Sequence, residues 1–137
     1  MKIVNILFAL IFFAFAMLQI NDADAVLWVS IYLSGSILCI LSWLNKIRPV
    51  YLWMAVGFYT IYALYLLVSP DGVWSWYSEH GSENIAQSMS ADKAWIENTR
   101  EFFGLFLLAL IAGINLFVLH RKRRREKKPH MILFLLE

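Results

Sequence analysis

Residues 102–128, FFGLFLLALIAGINLFVLHRKRRREKK, decide the fold. The first eighteen carry no charge, and at about 1.5 Å per residue they make a helix of about 27 Å, close to the ~30 Å hydrocarbon core of a bilayer. The basic block that follows at once, Arg121, Lys122, Arg123, Arg124, Arg125, Lys127 and Lys128, supplies seven of the twelve Lys and Arg of the chain. A basic block binds nucleic acid readily, but one set directly behind an apolar helix is first a cytoplasmic anchor in contact with anionic lipid headgroups. No nucleic-acid partner is expected.

The rest of the 137 residues agrees with a bilayer environment. Hydrophobic residues make up 61% and charged residues only 16%, where soluble domains are about half apolar and about a quarter charged. The mean hydropathy is +0.62, and six Trp, six Tyr and ten Phe supply interfacial aromatics. A soluble enzyme, a nucleic-acid binder and a disordered linker are excluded by that balance. The single cysteine, Cys39, lies within an apolar run, so neither a disulfide framework nor a cysteine metal spacing is present.

Three more apolar runs precede the first, Ile3–Ile20, Val26–Leu44 and Val50–Val68. The first is long for a signal-peptide core, and Gln19-Ile20-Asn21 is a poor small-residue cleavage site, so it counts as a helix. The spacing predicts helices over about 3–20, 26–44, 50–68 and 91–120, the last entering the membrane from about 102. Residues 21–25 and 45–49 are short links that make the first three helices antiparallel neighbours, and 69–101 form a long loop. Ten Lys and Arg near the helix ends fall on the side of Lys2, Lys46, Arg48 and the basic block, against Lys93 and Arg100 on the other. The positive-inside rule then puts both termini in the cytoplasm. The expected fold is an all-α integral membrane bundle of four transmembrane helices, N-in/C-in, over 1–120, with 121–137 a basic cytoplasmic tail. The expected location is the cell membrane, the inner membrane for a bacterial source.

The long loop carries its own signals. Pro70-Asp71-Gly72 reads as a turn closing the third helix, and Trp74, Trp76 and Tyr77 read as an aromatic belt. Ser90 is placed to cap the fourth helix and Asp92 to meet its positive end, so that helix begins outside the membrane near Ala91. Beyond Pro129, Met131–Leu136 is apolar but too short to span, and is read as dipping into the inner interface or packing on the bundle.

Eight of the ten acidic residues fall on the outer side, and two clusters stand out. Gln19, Asn21, Asp22 and Asp24 surround the link between the first two helices, where Asp22 or Asp24 is suited to cap the second helix. A cap needs one such residue, and this segment has three in four positions. Glu97 and Glu101, four apart, share a helix face beside Arg100. Brought together, Asp22, Asp24, Glu97 and Glu101 form an oxygen-rich nest for a hard cation, Ca²⁺, Mg²⁺ or Mn²⁺; zinc or copper would want His or Cys. Crowded carboxylates also have raised pKa values, as a general acid requires. The plainer reading is a lattice in which Arg100 pairs with the acids and locks the helices.

Within the spans, Asn5, Gln19 and Asn115 are suited to interhelical hydrogen bonds, and Ser34, Gly35 and Ser36 to close backbone approach. Ala109 and Gly113 form a small-xxx-small pair, read as internal packing in preference to a homodimer. Tyr59, Tyr62 and Tyr65 have helical spacing and are read as packing in preference to a cofactor pocket. No ionisable residue occupies the centre of a span, which disfavours a transporter or pump.

The string QINDADAVLWVSIY, through Gln19, Asn21, Asp22, Asp24, Trp28 and Tyr32, resembles the signature QxNDPDxxxWxxxY of the transmembrane protein 220 family. ENTREFFGL, through Glu97, Arg100, Glu101, Gly104 and Leu105, resembles that family's ExxRExxGL. Ala23 stands where the family has Pro, which removes a fixed φ from the turn. The resemblance implies a small multi-pass membrane protein and no particular activity. Carried over by position, it makes the two motifs one shared polar site of Gln19, Asn21, Asp22, Asp24, Glu97, Arg100 and Glu101. Trp28, Tyr32 and Gly104 then serve as its wall or, as preferred here, as packing.

The expected function is a non-enzymatic binding or accessory membrane protein with an acidic outer site able to take a divalent cation. The alternative is a membrane enzyme using those carboxylates on a lipid or small molecule, and a small-solute transporter ranks third. Expected partners are the lipid bilayer, anionic lipids at the tail, and a homodimer or larger membrane complex.

Overall fold

The computed structural model describes residues 1–85 and 93–136, with the backbone alone at 129 and 130. Its elements are α1 (Lys2–Leu18), α2 (Ala25–Trp43), α3 (Pro49–Val68), α4 (Val73–Ser78) and α5 (Ala94–Leu135), with no strand among the described residues. By length and composition α2, α3 and α5 are able to cross a bilayer, and α1, apolar over 17 residues, sits at the short end of that range. The chain is therefore an all-α membrane bundle, as its apolar runs predict.

The helix ends follow from local chemistry. After α2, Asn45 takes φ +55°, the Lys46 N–H bonds the Leu41 carbonyl at 2.9 Å and the Asn45 N–H bonds that of Ser42 at 3.2 Å. These are the two bonds of a Schellman stop, with Asn as the residue that tolerates the left-handed region after Gly. Pro49 then opens α3 at its first position, where the missing N–H costs nothing. At the start of α2, Asp24 occupies the capping position but its side chain makes no capping bond, contrary to the expected cap.

α1 packs along α2 and α3 along α5, and the two pairs meet where α2 touches α5. Gly35 permits that meeting, because a Cβ there would overlap Leu108 of α5. Although α2 and α3 are consecutive, their backbones approach little, and large side chains span the gap. Trp28 stacks on Tyr62 with centroids 5.5 Å apart, and the Ser34 and Tyr59 hydroxyls are hydrogen-bonded at 2.6 Å. A short link thus forces antiparallel direction but not close packing. Two buried polar bonds join α1 to the rest: Ser36 Oγ donates to the Ala9 carbonyl at 2.8 Å, and Asn115 Nδ2 donates to Asn5 Oδ1 at 2.8 Å. Phe12, Trp28, Leu52, Leu105 and Leu108 are fully buried around them, with Cys39 in the same core. Large apolar residues such as Leu10, Ile61, Phe106 and Phe117 are exposed, as the lipid-facing surface of a bundle requires.

Three expectations are corrected. Gly113 is not at a helix contact, since a Cβ added there meets no atom within 4 Å. The closely packed small residues are Gly35 and Gly104. The last helix starts at Ala94, three residues later than expected, with the Lys93 carbonyl accepting from Ile96 and Glu97 N–H; Ser90 and Asp92 lie outside the described residues. It also does not stop at 120. α5 runs unbroken through the basic block and position 129 to Leu135, and Met131–Leu136 are exposed on it without folding onto the bundle.

Candidate functional site

The α1–α2 turn, the end of α3, α4 and the start of α5 gather at one mouth of the bundle. α4 carries the aromatics of the long loop, but only Trp74 and Tyr77 are exposed; the Trp76 indole N–H donates to the Glu83 carbonyl at 2.8 Å and ties the loop down. Further ties run to the start of α5: Lys93 pairs with Glu83 at 2.7 Å, Asn98 Nδ2 donates to the Asp71 carbonyl at 3.0 Å, and His80 stacks flat on Trp95 at 3.6 Å. These bonds fix the first turns of α5 against the mouth.

One carboxylate from the α1–α2 turn and two from α5 converge there. Asp24, Glu97 and Glu101 each present an oxygen, and the three oxygens lie within 4.8 Å of one another. Oxygens bound to a single Ca²⁺ at 2.3–2.6 Å lie no farther apart than about 5 Å, so the spacing suits one hard cation. The Asp24 carboxylate is oriented from inside the bundle. Trp28, wholly buried one turn on, donates its indole N–H to Asp24 Oδ2 at 2.9 Å, which accounts for the carboxylate's failure to cap α2.

Burial acts first on the two glutamates at the mouth, and the crowding of like charge adds to it. Burial, then the charges of Asp24 and Glu97, push the Glu101 carboxyl up to about 8, with Arg100 opposing and Asp22 adding. Glu97 is raised as well, by burial first and then by Asp24 and Asp22, again with Arg100 opposing. Both residues precede the apolar stretch that begins at Phe102, so they stand at the rim and not in the span. The guanidinium therefore offsets only part of what raises these carboxyls, and both hold a proton more tightly than a free glutamate does.

Not every expected residue joins the triad. Asp22 is half-buried inside the turn and acts on both glutamates through its charge, but the triad takes Asp24 instead. Asn21 is exposed in the turn and Gln19 is half-buried at the α1 C-cap, where its backbone N–H bonds the Ala16 carbonyl. Tyr32 and Gly104 face each other across α2 and α5: a Cβ on Gly104 would overlap the Tyr32 hydroxyl. They are packing that brings α5 close, whereas Trp28 both packs and holds a site carboxylate.

An open cleft of about 560 Å³ adjoins the triad, lined by Asp24, Glu97 and Glu101 with Tyr62, Tyr65 and Asp71. The last three come from α3 and the turn after it, a segment absent from the expected site. The signal for them was the short turn Pro70-Asp71-Gly72, which ends α3 at the same mouth.

The model of the family described as transmembrane family 220, helix, matches residues 11–117, a stretch that holds both motifs and every member of the triad. Among curated proteins and solved structures nothing matches this chain.

Proposed function

The chain belongs to transmembrane family 220, and from that premise we propose that it is a binding or accessory membrane protein, not an enzyme, whose rim carboxylates hold a divalent cation. The observation that carries this reading is the convergence of Asp24, Glu97 and Glu101 oxygens within 4.8 Å from two separate segments. A cation there would neutralise the repulsion that raises Glu101, and would join the α1–α2 turn to α5. Ca²⁺, Mg²⁺ and Mn²⁺ suit an all-oxygen donor set, completed by water from the open cleft. The count of basic residues supports an arrangement with both termini in the cytoplasm, which puts this mouth on the outer side and the basic end of α5 against anionic lipid. A homodimer or a larger complex fits the accessory role and is read out by co-purification in mild detergent.

Thermal unfolding in mild detergent, with Ca²⁺, Mg²⁺, Mn²⁺ or EDTA, tests the reading on wild type and on Asp24→Asn/Glu101→Gln. A ligand at 100 times its Kd stabilises by about 2.7 kcal/mol, so a metal-dependent rise in Tm is expected for wild type and absent from the double variant. The same Tm in EDTA and in every cation would remove the metal site and leave a structural lattice.

The second reading is a membrane enzyme, and one observation favours it: a carboxyl raised to about 8 beside an open cleft holds a transferable proton near neutral pH. It predicts turnover of a lipid or small molecule that Glu101→Gln abolishes without loss of fold.

A further inference from the structure

At the opposite end of the bundle, α5 presents a face whose chemistry changes abruptly along its length. Gly113, Phe117, His120, Arg121 and Arg124 follow the three- and four-residue spacing of one helix face, and together with Trp53 of α3 they line a groove of about 700 Å³. The floor at Gly113 is open, since a Cβ there would meet nothing within 4 Å. Phe117 and Trp53 are exposed apolar walls, 64% and 59% accessible. Trp53 lies beside His120, ring centroids 6.3 Å apart, at the level where the groove turns from apolar to basic. From Phe117 to Arg124 the rise is about 10 Å, the distance over which a phospholipid passes from acyl chain to phosphate.

We propose that this groove is a specific site for one anionic phospholipid, with an acyl chain over Gly113 and against Phe117, and the phosphate held by Arg121 and Arg124. Charge complementarity selects the occupant. A zwitterionic lipid would bring its own ammonium against the two guanidinium groups, whereas an anionic headgroup brings negative charge alone, and Arg is suited to bidentate phosphate contacts. Trp53 and His120 supply the amphipathic rings found at headgroup level. The site lies at the other end of the molecule from the carboxylate triad and does not depend on it. It also differs from general attraction by the basic block, because it uses two of the seven cations and an apolar seat.

Native mass spectrometry of the full chain in mild detergent, supplied with phosphatidylglycerol or phosphatidylcholine, tests it. Wild type should retain one phosphatidylglycerol under activation that strips phosphatidylcholine. Arg121→Ala/Arg124→Ala should weaken that retention roughly 30-fold, the loss of two phosphate contacts. Arg123→Ala/Arg125→Ala removes the same charge, and Arg123 lines a different pocket with Met1 and Lys2, so it should retain the lipid. Gly113→Leu fills open space, leaves the fold intact by circular dichroism, and should expel the acyl chain. Equal loss in the two arginine pairs would reduce the effect to diffuse attraction and overturn the site, as would undiminished binding by Gly113→Leu. Full competition by sn-glycerol 3-phosphate would assign the groove to a free phosphate, and a chain dimer that Gly113→Leu dissolves would assign it to a second copy; either result overturns the lipid.

Discussion

Gly104 and Tyr32 show how much one missing methyl group decides at this rim. With a Cβ at 104 overlapping the Tyr32 hydroxyl, Gly104→Ala should cost about 1 to 3 kcal/mol in detergent-based unfolding. Tyr32→Phe in that background should recover part of it, because the hydroxyl is the nearest atom while the ring carbon Cζ stays in the way at 2.9 Å; no recovery would place the strain elsewhere. Glu101 gives a second residue-scale prediction. Its carboxyl, near 4.5 in the unfolded chain and about 8 when folded, makes the native state bind more protons between those values. Stability should therefore fall as pH rises from about 4.5 to about 8, in the absence of added metal. Glu101→Gln should flatten that part of the profile, and metal binding to wild type should strengthen across the same range, because the cation displaces the proton. Asp24, Glu97 and Glu101 were legible in the sequence as charge crowded near helix ends. Which aspartate of the turn would join the glutamates was not, because the choice rests on Trp28, whose indole bond to Asp24 depends on backbone geometry within the turn.

Among the elements, the stop after α2 rests on a single left-handed residue. Asn45→Ala should destabilise by about 1 kcal/mol, and Asn45→Gly should be neutral or stabilising, both read from Tm in the same detergent. Hydropathy located the spans well because it reports what lipid tolerates. It located the end of α5 poorly for the same reason: Arg, Lys and Glu are good helix formers in water, so the helix continues after the apolar signal ceases. α4, six residues with two exposed aromatics, lacks the length for a periodic signal and was read only as a belt. The sequence shows Asp71 as a turn residue and Tyr62 and Tyr65 as packing, not as parts of the site, because their place at the mouth follows from α3 packing on α5, a contact between segments more than thirty residues apart in places.

For the whole molecule, one continuous helix reaches from the acidic mouth to a basic end. At 42 residues α5 measures about 63 Å, twice the hydrocarbon thickness, so an α5 that crosses the bilayer upright should carry its last turns clear of it. Spin labels at 114 and 133 should separate accordingly, the first relaxed by oxygen dissolved in lipid and the second by a water-soluble nickel chelate. Oxygen-dominated relaxation at both positions would mean that the end of α5 returns to the interface. Such labelling is practical because Cys39, the sole native thiol, is 2% accessible between packed helices. Its burial has a kinetic side too. A permeant alkylating reagent reaches that sulfur only when α2 moves off its neighbours, so a reagent that reacts faster than the helices reclose counts openings of the closed bundle. The chain thus carries its own clock for breathing within the membrane, one that added cation or lipid would slow to the extent that each holds the helices shut.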